Sequence, residues 1–184
     1  MEIKISSKHI LLFLNVIAWM IFVGICIQAG AFITTAVFTM LYTPAGALHL
    51  WQAVDLSTLY KFDPGYFIVA YIFMIIVAVL KALLFYLIIR VLQENKLNMK
   101  QPFNPEVGRF IFNVGYITLG IGIFSNWGAK YSKWFVQQGV KMPAVEDLEL
   151  GGADVWLFMS VTLFVIAHIF KRGIEIQAEN ELTI

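Results

Sequence analysis

Apolar positions along the chain gather into four long runs, Ile10 to Tyr42, Pro64 to Val91, Phe110 to Trp127 and Val155 to Phe170, with polar segments between them. None alternates with the period of two that a barrel strand needs, so each reads as a helix. A bilayer's hydrocarbon core is about 30 Å thick and takes about 20 helical residues. Inside it every backbone N–H and C=O must be paired within the protein. The pattern therefore predicts an all-α integral membrane protein with four transmembrane helices, over about 10–38, 64–91, 108–127 and 152–171. These form a single transmembrane domain over 1–184, with a tail from 172 to 184.

The four runs differ in kind. The first is long enough for about 50 Å of helix, so it should tilt, break near Gly24 or Gly30, or project. Gly24, Gln28, Ala31 and Thr35 share one of its faces and suggest a packing stripe. Pro64 and Gly65 start the second. Gly115, Thr118, Gly122 and Ser125 make a small-residue seam along the third. The fourth is short and spans if Lys171 and Arg172 snorkel and Gly151-Gly152 open the helix early. Beyond the third run, Trp127, Tyr131, Trp134 and Phe135 recur at helical spacing with Lys130 and Lys133 between them. This predicts an interfacial amphipathic helix in an outer loop, with a weaker version at Leu48, Trp51, Asp55 and Tyr60.

Charge sets the expected orientation. With the N-terminus inside, the inner side holds Lys4, Lys8, Arg90, Lys96, Lys100, Arg109, Lys171 and Arg172, and the outer side only Lys61, Lys130, Lys133 and Lys141. The excess predicts both termini in the cytoplasm. Composition agrees: 60% of residues are hydrophobic and 14% charged, against about 25% charged in soluble domains. A net charge of +1 gives no bulk attraction to nucleic acid, and no direct nucleic-acid partner is expected. The single Cys26 excludes an internal disulfide. Lys4 and Lys8 before an apolar run, with Ala29-Gly30-Ala31 further on, imitate a signal peptide, but the run outlasts an ordinary one. Ile25 also breaks any lipid-attachment motif at Cys26, so the first helix is expected to be retained.

Few side chains offer chemistry. Lys81 is the one formal charge well inside a run, about 13 Å from Arg90 along the helix. No Asp or Glu lies in any run to pair with it, which leaves backbone carbonyls, Gln28 or Asn113 as its partners. His9 and His168 fall near the inner boundary without the neighbouring ligand that a strong metal site shows. There is no phosphate-binding glycine loop, nucleophile elbow or zinc motif. No enzyme activity, cofactor or metal is expected.

The cytoplasmic end is more distinctive. The last helix leaves the membrane with Lys171 and Glu175 at i, i+4 and an acidic stripe through Glu179, and ends in Leu182-Thr183-Ile184. The stretch Ile169-Phe-Lys-Arg-Gly-Ile-Glu-Ile-Gln-Ala-Glu-Asn-Glu-Leu-Thr-Ile184 resembles the closing segment of a bacterial membrane family catalogued as domain of unknown function 2975. Gln101-Pro-Phe-Asn-Pro-Glu-Val107 is similar to that family's inner-loop motif, and Gly24-Ile-Cys-Ile-Gln-Ala-Gly30 to its first helix. The resemblance implies a multi-pass protein of the bacterial cytoplasmic (inner) membrane. It also implies a small cytosolic helix-turn-helix regulator, often encoded beside such proteins, as a partner. It carries no catalytic or binding residues across.

The expectation is a regulatory or sensory protein whose bilayer is its first partner. Its inner face would dock the regulator through Pro102, Phe103 and Glu106 with Glu175, Glu179, Asn180, Leu182, Thr183 and Ile184. The first alternative is a small transporter or channel using Lys81, Gln28 and Asn113 as a polar path for an anionic or amphipathic solute. The second is a membrane enzyme or haem carrier relying on His9 and His168. Association into a homo-oligomer is left open.

Overall fold

The computed structural model describes residues 7–41, 54–93 and 104–181. Within them the chain is helical throughout its regular elements: α1 (Ser7–Leu41), α2 (Ser57–Phe62), α3 (Pro64–Gln93), α4 (Pro105–Gln137) and α5 (Ala153–Glu181). All except α2 are long and apolar enough to cross a membrane. At about 44–52 Å each, they exceed a 30 Å core and must tilt or project beyond it. The protein is a multi-pass membrane protein.

The spans pack in chain order, α1 on α3, α3 on α4 and α4 on α5, with the last interface the most extensive. We call the end that carries α2 and the α4–α5 connection the upper end, and the end where α3 finishes and α4 starts the lower. Local signals place the boundaries. The Asp63 carboxylate accepts from the N–H groups of Gly65 and Tyr66 at 2.6 and 3.3 Å and caps α3. Asn104 caps α4 by accepting from the Glu106 N–H at 2.8 Å, with Pro105 in the first turn. At the far end of α4, Gly139 adopts φ 81°. The Gly139 and Val140 N–H groups return to Val136 O and Phe135 O, both at 3.1 Å, as a left-handed glycine cap allows.

The α4–α5 interface follows a spacing of seven. A Cβ added at Gly108, Gly115 or Gly122 would lie 3.5 Å from Ile174 Cδ1, 3.0 Å from Phe164 Cε1 and 2.7 Å from Leu157 Cγ respectively. Each side chain of α5 thus enters a notch that a glycine leaves open, the small-residue packing of membrane helices in a heptad register. Thr118 and Ser125, predicted on the same seam, are buried there. The Thr118 hydroxyl returns to Val114 O and Gly115 O at 2.9 Å, as hydroxyls do where a helix has no water.

The structure decides how α1 runs and where the aromatic set lies. α1 is continuous through Gly24 and Gly30, and its packed face takes in Thr35 of the expected stripe but not Gly24. A Cβ at either glycine meets nothing within 4 Å, whereas Ala18, Ala29, Phe32, Thr35 and Thr39 are buried. A helix apolar on every side carries no pattern to mark its contact face. The aromatic set from Trp127 to Phe135 is not a separate interfacial helix but the last turns of α4. Tyr131 and Phe135 find partners on α3 instead of lying on the bilayer: Tyr131 Oη donates to Tyr66 O at 3.2 Å, and the Phe135 ring sits 5.1 Å from that of Tyr66. Finally, α5 is regular from Ala153, and Gly152, at φ 70°, opens it by accepting from the Trp156 N–H at 3.1 Å. In the first upper loop α2 supplies the short helix expected near Tyr60, while Leu48 and Trp51 lie outside the described residues.

Candidate functional site

The connection from 138 to 152 folds back against the upper end instead of arching away from it. Its Val140, Leu148 and Leu150 are buried, and Leu150 fills the notch at Gly128, where an added Cβ would lie 2.7 Å from its Cδ1. This packing drives Glu149, at φ 58°, down toward the spans. There Lys81 Nζ donates to the Glu149 carboxylate at 3.1 Å and to the Glu149 backbone carbonyl at 3.2 Å. The ammonium does have an acidic partner, which corrects the expectation that it leans on carbonyls and amides alone. The partner comes from a connecting segment and not from a span.

Gln28 of α1 completes the junction, lining the same cavity as Glu149, and its amide favours the ionised carboxylate. Burial would raise the Glu149 carboxyl, but the bonds from Gln28 and Lys81 and the charge of Lys81 outweigh it, holding the group below its ordinary value of 4.5. The Lys81 side chain is 16% exposed and that of Glu149 41%. The pair therefore has one partner sealed among helices and the other facing a cavity. α1, α3 and the α4–α5 connection meet at this one carboxylate.

Above it lies a cavity of about 570 Å³, within the range of small-molecule sites. Asp55, Thr58, Lys141, Glu146 and Asp147 line it together with Gln28 and Glu149. The Thr58 hydroxyl donates to Lys141 O and ties the first upper segment to the second. Bonds from the Ser57 hydroxyl and N–H hold Asp55 below its ordinary 3.8 against a small burial effect, with Lys141 and Lys61 adding to them. The lining can orient a polar molecule, and among the described residues it holds no histidine, cysteine or nucleophile–base pair. Among the described residues no group of three His, Cys, Asp or Glu converges as metal ligands do.

The other candidates are dispersed. Asn113 does not join Lys81 and Gln28; it lines a cavity of about 230 Å³ at the lower end with Arg90 and Arg109. His9 is exposed on α1, which packs on α3, while His168 sets its ring against Phe112 of α4 at 5.4 Å. The structure does not bring the two histidines together as a haem site needs. At the lower end Glu106 stands in the first turn of α4 and Glu175 and Glu179 on the exposed side of α5, which stays helical to Glu181. Glu175 pairs with Arg172 at 3.0 Å, not with Lys171 as its i, i+4 spacing suggested. Ile174 against Gly108 brings the Glu106 and Glu175 turns to one place. Pro102, Phe103, Leu182, Thr183 and Ile184, and the side chain of Asn180, lie outside the described residues.

Sequence reasoning missed Glu149. The available signal was the need of an intramembrane lysine for a counter-charge, set beside the acidic run Glu146-Asp147-Leu148-Glu149 in an upper connection. Residues 51–184 match a family described as a protein of unknown function, DUF2975. No match was found among curated proteins or among solved structures.

Proposed function

This chain belongs to the DUF2975 family, and from that premise and the polar junction we propose a regulatory membrane protein without catalytic chemistry. Its place would be the bacterial cytoplasmic membrane, lower end inward, as the cluster of Arg90, Arg109, Lys171 and Arg172 favours. The upper cavity is its input and the lower face its output. The observation that carries this reading is the Lys81–Glu149–Gln28 junction beneath the cavity. A molecule bound beside Glu149 competes for its hydrogen bonds and so shifts the balance between arrangements of α1, α3 and the connection. The output partner is a small cytosolic helix-turn-helix regulator, docked by the Glu106 turn and the helical tail bearing Glu175 and Glu179.

The test uses the full chain and one ending at Gly173, each captured from native membranes in detergent, with mass spectrometry of what is retained. A helix-turn-helix protein held only by the full chain supports the docking half. Equal recovery by both removes the tail from the mechanism.

Transport is the second reading, and the cavity directly over an intramembrane ion pair is what favours it. The neutralising Glu149 weakens its anionic version. Lys81→Met should then abolish flux in proteoliposomes while assembly persists; unchanged flux excludes the path.

A further inference from the structure

We propose that the lower cavity between α3 and α4 binds the phosphate of an anionic phospholipid, with Arg90 and Arg109 as its two guanidinium contacts. Arg90 lies in the last turn of α3 and Arg109 at the start of α4, and both are exposed on the cavity of about 230 Å³ that they share with Asn113. Among the described lining residues, two guanidinium groups face one small space against the single carboxylate of Glu106. A guanidinium matches phosphate oxygens in a planar, two-pronged way. The first turn of α4 adds a positive dipole end at the same height. Asn113 supplies an uncharged donor one turn above Arg109.

The source of the phosphate follows from the walls. Leu87, Val91 and Phe110 give the cavity apolar walls beside the arginines, where a free ion gains nothing and an acyl chain is buried. The height is interfacial: Trp19 of α1 and Tyr86 of α3 line a neighbouring cavity that shares Arg90, and such aromatics mark the bilayer's polar boundary. Basic pockets between helices on the cytoplasmic side are where anionic headgroups are held. The site is separate from the upper cavity and does not depend on the regulatory reading.

The test is native mass spectrometry of the full chain in detergent with phosphatidylglycerol, phosphatidylcholine or inorganic phosphate. Phosphatidylglycerol should be retained over phosphatidylcholine, and Arg90→Gln or Arg109→Gln should each lower that retention about fivefold, the scale of one basic residue at an anionic surface. Lys171→Gln, at the same height but outside the cavity, should leave it unchanged. Arg109→Lys keeps the charge and should keep most of the retention; read against Arg109→Gln, it decides the matter if Arg90→Gln does not purify. Equal retention of the two lipids, undiminished retention in the arginine variants, or an equal loss in Lys171→Gln overturns the proposal. Displacement of the lipid by an equal concentration of inorganic phosphate overturns the lipid as the source and leaves a free-anion site.

Discussion

Replacing Glu149 should cost the protein more than replacing Lys81, although they are two halves of one ion pair. The Lys81 ammonium is 16% exposed and rises from the middle of an apolar helix, about 13 Å from Arg90. Its side chain leans toward the helix N-terminus, so the upper connection and not the lower boundary is within its reach. Glu149→Gln keeps the shape but leaves that charge without a counter-ion. An uncompensated lysine at a helix centre costs about 2.5–3.5 kcal/mol on insertion scales. Cavity water screens part of this, because Glu149 is 41% exposed. We therefore expect a loss of about 2 kcal/mol, roughly 4–8 °C in Tm for a chain of this size. Lys81→Met removes the buried charge itself and leaves a carboxylate that keeps Gln28 and meets water in the cavity. Its cost should be about 0–1 kcal/mol, since a hydrophobic replacement of a buried pair is often neutral. The double variant should lie close to Lys81→Met, giving a coupling of about 2 kcal/mol in the cycle. Thermal unfolding in one detergent, followed by circular dichroism, measures all four proteins. Additive effects, or a Glu149→Gln variant as stable as Lys81→Met, would refute the reasoning.

Acid should act through the same pair. Glu149 titrates below 4.5 in the folded protein, so its contribution is fully present above about pH 4.5 and is lost as pH falls through the lower folded value. The stability gap between wild type and Glu149→Gln should therefore close below pH 4.5 and stay constant above it. Gly122→Val should destabilise by about 1–3 kcal/mol, because its Cβ would sit 2.7 Å from Leu157 Cγ and 3.1 Å from the Leu157 backbone N. Gly24→Ala, which meets nothing, should leave Tm unchanged or raise it, and equal effects at the two glycines would contradict the assigned seam. Gly139→Ala should cost about 1 kcal/mol through its φ of 81° alone, with the spans intact and faster proteolysis confined to the 138–152 connection.

Part of the candidate site was visible as single residues. Lys81 stands out wherever a formal charge interrupts an apolar run, and Gln28 is the polar break in α1. Their meeting place was not visible, because it depends on a connection that folds inward and on Leu150 finding Gly128. Asn113 shows the converse. It was grouped with Lys81 as an intramembrane polar residue, yet its position on α4 puts it at the lower cavity with Arg90 and Arg109. Being polar and inside an apolar run specifies neither height along the bundle nor azimuth around a helix, and the two together decide which residues share a site. The aromatic run at the end of α4 failed for a related reason. Its spacing is that of a helix in either setting, and only the partners Tyr66 and Phe73 on α3, with Phe62 of α2, decide between a surface helix and a packed one.

The sequence by itself determined that this protein has four helices long and apolar enough to cross a membrane, and that the α4 seam is built of small residues. These follow from local quantities: the length of apolar runs, the obligation to pair backbone groups in lipid, and a seven-residue spacing of glycines. Tertiary structure alone decided which face of α1 is buried, that the α4–α5 connection turns back on the bundle, and that Glu149 answers Lys81 across 68 residues of chain. Membrane helices carry little outward pattern, since lipid and protein interior are equally apolar. What selects among their packings is shape and the rare buried charge, and a charge finds its partner only once the chain is folded.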